Sequence, residues 1–244
     1  MSEPLSTGIR LLTASTADVA LILDGIVHLH ASCILNDGTL ATFLPPLSHP
    51  QMYQWWEQRL SEVGRGERHI IICLSKVRDR TNDKNIPAPW NDEGRTWPIV
   101  TRSTNPAPTT SAHDPTAASE QLDISGVVSL ATPFSQTGPF RAVVEKLFVS
   151  PLHRRRGIAK QLMARLERVA VDRGRWSLML DTEVGSDAEH VYPRLGYERL
   201  GVVREYGYSP RDGSLVDEVW FWKDLRTMKR LVEEEKRKKE EGEA

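Results

Sequence analysis

The stretch Val149-Ser-Pro-Leu-His-Arg-Arg-Arg-Gly-Ile-Ala-Lys-Gln-Leu-Met163 joins an apolar strand to a helix that is preceded by three arginines and one glycine. The first backbone N–H groups of a helix have no partner within it, and the helix dipole adds positive charge there. The junction therefore favours a bound anion, and Gly157 leaves room for a pyrophosphate to approach the backbone. We name the predicted phosphate-binding residues the anion cradle: Arg154, Arg155, Arg156, Gly157, Ile158, Ala159 and Lys160.

Alternation and helical spacing predict an α/β order of elements around this junction. Apolar positions three and four apart after Gly157 indicate an amphipathic helix, and Ser186-Asp-Ala-Glu189 has the spacing of a capping box. Runs rich in β-branched residues, bounded by Gly and Pro, indicate strands. Strands are predicted at 9–12, 67–74, 124–130, 142–149, 176–181, 200–208 and 219–222, and helices at 16–27, 50–63, 157–173 and 186–195.

Three segments lie outside this pattern. Residues 30–49 are predicted as a connection between two helices. Residues 78–122 are rich in Pro, Asn, Asp, Ser and Thr, so we expect a surface insertion that cannot bury enough apolar area to order itself. Residues 226–244 place opposite charges three and four apart, which is typical of an exposed, fraying helix. A single folded domain is therefore expected over residues 1–225.

The composition excludes several classes of protein. A formal net charge of -1 over 244 residues argues against a broad nucleic-acid-binding face. We find no apolar run of bilayer-spanning length and no secretion signal, so a cytoplasmic location is expected. Cys33 and Cys73 lack metal-site or disulfide-framework spacing and are predicted as buried, reduced core residues, so no metal is expected. His153 is predicted as a solvated turn residue, with a phosphate contact as the alternative.

The spacing Arg154-x-x-Gly157-x-Ala159 matches the pyrophosphate-binding motif of the GNAT superfamily of acyl-coenzyme A dependent N-acetyltransferases. An arginine-rich helix start is also typical of a solvated surface or a nucleic-acid contact, but the order of elements resembles a GNAT domain as well. The resemblance implies a GNAT fold, with a mixed, mostly antiparallel central sheet, helices on both faces and a splayed strand pair that binds acetyl-CoA. The backbone of Leu147, Phe148 and Val149 would then pair with the pantetheine arm.

A narrower resemblance covers most of residues 125–225. The segment Leu180-Asp-Thr-Glu-Val-Gly-Ser-Asp-Ala-Glu189, with Tyr192 and Leu195-Gly-Tyr197, is similar to the tabtoxin-resistance acetyltransferase group. It implies acetyl transfer to a primary amine of a small molecule, such as an amino-acid-like toxin or antibiotic. A protein or peptide lysine or N-terminal amine is the alternative acceptor, and a non-catalytic CoA-binding scaffold is the second alternative.

Attack by an amine requires a base, because an amine of lysine-like pKa is protonated at neutral pH. The strand glutamate that several GNAT enzymes use aligns with Val143, which cannot accept a proton. Alternation predicts that Val143, Glu145, Leu147 and Val149 share one face of their strand. The candidates for the base are Asp181, Glu145 or a water that they hold. We favour Asp181, which alternatively orders the turn after its strand or holds the substrate ammonium.

The resemblance also assigns the remaining site residues. Tyr192 matches the general-acid tyrosine of the family in position. Many members carry a cofactor-contacting asparagine where this chain has Gly185-Ser186, so Ser186 is expected to replace part of that contact. Phe43, Asp181 and Glu183 are expected to contact the acceptor, although packing explains Phe43 equally well. The expected partner is a small-molecule amine, with no nucleic acid, no membrane and no metal, and a homodimer is left open.

Overall fold

The computed structural model describes residues 5–13, 15–16, 18–76, 100–101 and 121–242. The strands are β1 (Gly8–Leu12), β2 (Arg68–Lys76), β3 (Val100–Thr101), β4 (Gln121–Ala131), β5 (Arg141–Val149), β6 (Ser177–Glu183), β7 (Glu198–Tyr208) and β8 (Leu215–Asp224). The helices are α1 (Val19–Asp37), α2 (His49–Gly64), α3 (Ile158–Asp172), α4 (Asp187–Arg194) and α5 (Arg226–Gly242). Each predicted strand and helix is present, with ends that differ by a few residues except in α1, β8 and the tail.

One sheet contains all the described strands. Its order is β1-β2-β4-β5-β6-β8-β7, and β3 pairs with β4 beside this path. The β5–β6 pair is parallel, and the other described pairs are antiparallel. The predicted mixed, mostly antiparallel sheet is therefore confirmed.

Helices cover both faces of this sheet because its inner strands are apolar on both sides. In β2, Ile70 and Ile72 belong to a core with α1 and α2, whereas Ile71 and Cys73 belong to a second core with α3. This alternation is the two-residue period of a strand. Cys33 and Cys73 are buried free thiols, as predicted.

Helix α1 is longer than the sequence predicted. It continues to Asp37 and ends at Gly38, whose φ of 65° closes the helix while its N–H donates to the carbonyl of Ile34 at 2.9 Å. The first part of the expected connection at 30–49 is therefore helical. The predicted absence of a long apolar run is also wrong for α1, which is long and apolar enough to cross a bilayer, although 67% of that stretch is buried inside the fold.

Strands β5 and β6 separate along their length. Their parallel ladder extends from Arg141 opposite Ser177 to Val143 opposite Met179, while β5 continues to Val149. Next to this opening β5 contains a bulge, where Lys146 adopts a left-handed φ of 56°. The two strands thus form the splayed pair that the fold prediction requires.

The bulge overturns the predicted face of β5. Val144 belongs to the core beneath α3, yet Phe148, four residues further on, belongs to the core beneath α1 and α2. In a regular strand these two side chains would share a face. The expectation that Val143, Glu145, Leu147 and Val149 lie together is therefore wrong, because the extra residue at the bulge reverses the alternation.

The charged tail is packed against the fold and is not merely an exposed helix. Val232 of α5 is 3% exposed and joins the core beneath α3. Arg168 of α3 contacts Glu235 at 3.3 Å, and Lys236 contacts Asp172 at 3.3 Å. The alternating charges of the tail therefore pair in part with a neighbouring helix.

The predicted insertion at 78–122 lies largely outside the described residues. Within it, Val100 pairs with Leu122 and Thr101 with Gln121, so β4 begins earlier than predicted. For the remainder of the segment, the expected surface insertion stays a prediction.

Candidate active site

The anion cradle lies between β5 and α3, as the sequence predicts. Arg155 and Gly157 both adopt left-handed conformations, with φ of 58° and 73°. Left-handed residues that alternate with ordinary ones turn successive N–H groups toward one concave surface, which suits an anion. A methyl group added to Gly157 would meet only the side-chain nitrogen of Gln161, at 3.9 Å, so the space in front of this backbone is open.

The side chains of the anion cradle divide into two groups. Arg154, Arg155, Arg156 and Lys160 are exposed and provide positive charge. Ile158 is the first residue of α3 and its side chain is buried in the core, so it can offer only its backbone. The guanidinium of Arg154 also pairs with the carboxylate of Asp37 at the end of α1, which links the cradle to that helix.

His153 is buried, which corrects the prediction of a solvated turn residue. Its side chain is 0% exposed; Arg156 Nη1 lies 3.0 Å from Nδ1, and Asp123 Oδ2 lies 3.2 Å from Nε2. Because arginine has only donors, Nδ1 accepts and Nε2–H donates to Asp123. His153 therefore holds Arg156 in the cradle. Its partner Asp123 lies on β4, far away in sequence, so no local signal predicted the pair.

The carboxyl ends of β5 and β6 lie at the same edge of the sheet because the strands are parallel, with the opening between them. The anion cradle follows β5, and Asp181 and Glu183 lie at the end of β6. Beyond Val143 the backbone of β5 makes no ladder with β6. The N–H and C=O groups around Leu147 on that side remain available to a ligand that lies in the opening.

Asp181 lies beside a second carboxyl group that the sequence reasoning missed. The register sets Asp181 opposite Trp220 and Glu183 opposite Glu218, so these side chains share one face of the sheet. Glu218 is buried and hydrogen-bonds Asp181; burial and then this neighbour raise the pKa of Glu218 to about 7. We name Asp181 and Glu218 the carboxylate pair. Glu218 is the member of the pair that exchanges a proton near neutral pH.

The surroundings of Glu218 explain both its burial and why it was overlooked. A methyl group on Gly207 of β7 would lie 2.6 Å from Glu218 Oε1 and 3.2 Å from Leu40 Cδ1. Gly207 therefore permits the close approach of this carboxyl. The sequence prediction began the last strand at Val219, which left Glu218 outside it. Its alternation with Trp220 was the available signal.

Lys146 is a further residue of this region that was not predicted. Burial lowers the pKa of its ammonium, while Glu145 and Asp181 counteract the shift. Its Nζ lies 5.6 Å from the ring centroid of Trp55 on α2. The left-handed backbone of the bulge therefore positions a cation between the carboxylates and the aromatic side chains.

Glu145 does not belong to the carboxylate pair. Its Oε2 lies 2.6 Å from Nη1 of Arg68, which is 5% exposed. The same guanidinium contacts Glu62 and the hydroxyl of Ser129, each at 2.6 Å. The Glu145 carboxylate is directed at a buried arginine and away from the carboxylate pair, so this geometry argues against Glu145 as the base.

Tyr192 lies in α4, near the end of β6 as the resemblance implies. Its side chain is 6% exposed and packs against Phe221 and Tyr197, with ring centroids 5.5 and 5.9 Å away. Burial and then the charge of Asp181 raise the pKa of Tyr192 above its usual value. The phenol therefore keeps its proton at neutral pH and can act as a donor.

The predicted capping box before α4 is not formed, because Glu189 accepts from Gly185 and not from the N-cap residue Ser186. The N–H of Gly185 donates to Glu189 Oε2 at 2.7 Å. Ser186 does not cap the helix, because its hydroxyl donates to the carbonyl of Glu183 at 2.7 Å. The predicted cap by Ser186 is thus wrong, and its contact with the cofactor stays a prediction.

Burial raises the pKa of Glu183, and the nearby charge of Arg211 partly offsets this rise.

A cluster of aromatic side chains lies on the α1 and α2 side of the opening. His30 at its centre is fully buried and stacks on Phe148 with centroids 4.6 Å apart. Trp56 Nε1 donates to His30 Nδ1 at 3.1 Å, and His30 Nε2 donates to the carbonyl of Ala41 at 2.7 Å. Burial lowers the pKa of His30 to about 3. This histidine is therefore a neutral core residue.

The outer part of that cluster is accessible. Phe43 and Trp55 are partly buried and meet edge to face at 6.1 Å, whereas Trp56 is fully buried. Packing therefore explains Trp56. Phe43 packs on the core and leaves part of its ring exposed, so packing and contact with the acceptor both stay open for this residue.

The sequence and the fold were compared with protein-family models and with solved structures. The model of the acetyltransferase (GNAT) family matches residues 85–197. The chain has the GNAT fold. An N-acetyltransferase from Staphylococcus aureus Mu50 is 14% identical, with a TM-score of 0.54 over 90% of this chain and 100% of that one. The family model and the solved structures therefore agree on the fold.

Two other solved structures with the GNAT fold differ in their described acceptors. A candidate phosphinothricin N-acetyltransferase is 14% identical, with a TM-score of 0.56 over 89% of this chain and 98% of that one. RimL, a ribosomal L7/L12 alpha-N-protein acetyltransferase in complex with coenzyme A, is 14% identical, with a TM-score of 0.56 over 91% and 96%. At this identity the likeness concerns the GNAT fold and leaves the acceptor open, and the narrower tabtoxin-resistance resemblance is not confirmed.

Proposed function

We propose that this protein transfers the acetyl group of acetyl-CoA directly to a primary amine of a small molecule. One observation carries the proposal. The anion cradle follows the carboxyl end of β5, the carboxylate pair lies near the carboxyl end of β6, and the two strands diverge between them. Acetyl-CoA supplies the activated thioester. Residues 155–159 would hold its pyrophosphate through backbone N–H groups, and Leu147 to Val149 would pair with its amides.

The acceptor side suits a cationic amine. Asp181 and Glu183 offer negative charge, and the partly exposed ring of Phe43 favours a nearby cation. The carboxylate pair is the proposed base, because Glu218 with a pKa of about 7 accepts a proton at neutral pH. This moves the proposed base from Asp181 to its hydrogen-bonded neighbour Glu218. Tyr192 donates a proton to the departing sulfur, and a backbone N–H of β5 polarises the thioester carbonyl.

Several observations favour a small acceptor over a peptide. The hairpin between β7 and β8 reaches α1, where Arg211 donates to the carbonyl of Asp37. Leu40 and Gly207 enclose Glu218 from the same side. An enclosed carboxylate suits a compact amine better than a chain. The tabtoxin-resistance resemblance adds amino-acid-like toxins and antibiotics as the class to test first, with the cytoplasm as the expected location.

The test is an acceptor screen that mass spectrometry follows. The protein is incubated with acetyl-CoA and either small amines, including amino acids and amine antibiotics, or peptides with free lysine and N-terminal amines. We expect one acetyl group on a defined small amine, with release of free CoA thiol. Acetylation of peptides alone would overturn the small-molecule proposal. Tight CoA binding without acetylation of any amine would instead support the scaffold alternative.

A further inference from the structure

A second group of chemically reactive side chains lies where α1 meets the start of α2. Asp24 and His28 are one turn apart on α1, and His49 is the first residue of α2. His49 Nε2 lies 2.7 Å from Asp24 Oδ1, and His28 Nε2 lies 3.9 Å from Asp24 Oδ2. One ligand atom from each residue lies within 4.8 Å of the other two. We name these three residues the His-Asp triad.

Local structure explains why the triad converges. Residues four apart lie on the same face of a helix, so Asp24 and His28 project together. His49 lies at the first turn of α2, beside Pro50, and its ring stacks against Tyr53 at 6.1 Å. The side chain of His28 is 6% exposed, while those of Asp24 and His49 are 26% and 29% exposed. The triad is therefore enclosed on one side and open to water on the other.

We propose that the His-Asp triad binds a divalent zinc ion, with water as the fourth ligand. Two imidazole nitrogens and one carboxylate are a ligand set that zinc favours. Zinc lies about 2.0–2.1 Å from such ligands, so tetrahedral ligand atoms are roughly 3.3 Å apart. The separations of 2.7 and 3.9 Å from the Asp24 carboxylate lie on either side of that value. Small side-chain rotations, without backbone movement, bring the three ligands to the ion.

The proposed zinc ion would cross-link α1 to α2. These helices carry the aromatic cluster beside the opening, with His30 two residues after His28 and Trp55 two residues after Tyr53. Without metal, the contact between His49 and Asp24 joins the same two helices. The ion would replace that contact with coordination to three side chains. The inference concerns binding and stability and does not depend on the proposed acetyl transfer.

The experiment uses the full chain after removal of metal with a chelator. Zinc is titrated near pH 7.5 against a chromophoric chelator, and Co²⁺ is used as a spectroscopic substitute. We expect one zinc ion per chain, an intense visible Co²⁺ spectrum typical of four ligands, and a higher thermal midpoint with zinc. His49→Gln and Asp24→Asn should each weaken zinc binding at least tenfold. His190→Gln, which changes an exposed histidine of α4, is the matched control and should bind like the unaltered protein.

Three results would overturn the proposal. These are the absence of stoichiometric zinc binding, a weak Co²⁺ spectrum typical of six ligands, or equal affinity in the unaltered protein and both triad variants. Circular dichroism in chelator shows whether each variant folds. If a variant fails to fold, the stoichiometry and the Co²⁺ spectrum of the unaltered protein decide the question. Any of these negative results would identify the triad as a hydrogen-bonded helix contact only.

Discussion

Glu218 of β8 hydrogen-bonds Asp181 of β6, and burial beside this second carboxyl raises the pKa of Glu218 to about 7. A base acts in its deprotonated form, so the acetylation rate should rise as pH increases through about 7. Glu218→Gln should lower kcat about 100-fold, a typical contribution of general-base catalysis, and should remove this rise. The measurement is a pH–rate profile with a saturating amine. Glu198→Gln, an exposed change on β7, is the control, and a rise that persists in Glu218→Gln would contradict the assignment.

The same pKa shift predicts how stability depends on pH, whatever the reaction. The pKa of Glu218 rises from 4.5 to about 7 on folding, so between these values the folded protein binds the proton more tightly than the unfolded chain. This contribution to stability is present at low pH and declines as pH rises through that window. Glu218→Gln keeps a donor toward Asp181 and should lose the decline. Urea unfolding at several pH values tests this; parallel pH curves for the two proteins would refute it.

The sequence could predict features that depend on neighbouring residues. The anion cradle needs only a strand, a glycine and a helix start within one short stretch, and α3 shows its apolar face through the spacing of Leu162 and Leu166. Gly38 was also a readable helix stop for α1. The apolar run there contains His28 and His30, whose polarity hid the continuation of the helix, although burial and hydrogen bonds accommodate both.

Other features depend on contacts between distant segments. The pairs His153 with Asp123 and Arg68 with Glu145 join residues on different elements, and nothing near either residue specifies its partner. A left-handed residue in a bulge is usually a glycine, but here it is Lys146, so the sequence carries no sign of the bulge. The surrounding sheet holds Lys146 in this conformation. Tertiary contacts therefore determine which face of β5 each side chain occupies.

Gly157 and Gly174 have nearly equal backbone conformations, so replacing each of them by alanine distinguishes the cost of backbone strain from the loss of ligand binding. Gly157 has φ of 73° and Gly174 has φ of 72°, but only Gly157 belongs to the anion cradle. Alanine should cost about 1 kcal/mol of stability at either position, because a side chain disfavours this conformation. Gly157→Ala should also raise the KM for acetyl-CoA at least about tenfold, equivalent to one lost charge-assisted hydrogen bond. Equal KM values for the two variants would contradict a phosphate at the cradle.

Tyr192 and Tyr197 provide a matched pair for the proton donor. Both are buried, with 6% and 3% of their surfaces exposed, but only Tyr192 is the proposed general acid. Tyr192→Phe retains the ring packing and should lower kcat about 100-fold, while the affinity for CoA changes little. Tyr197→Phe should retain most of its turnover. Steady-state kinetics and CoA calorimetry make the comparison, and full activity of Tyr192→Phe would exclude this role.

Substitutions of Glu145 and Glu62 test whether Glu145 acts as the base or only as an ion-pair partner of the buried Arg68. Each carboxylate lies 2.6 Å from Arg68, and their side chains are 32% and 19% exposed. Because Arg68 keeps one partner in either variant and both carboxylates are partly solvated, Glu145→Gln and Glu62→Gln should each cost about 1 kcal/mol of stability. Both should retain at least about half of the turnover and an unchanged pH–rate profile. Chemical denaturation and kinetics measure the two effects. A large, selective fall in kcat for Glu145→Gln would return the base to β5 and remove the carboxylate pair from that role.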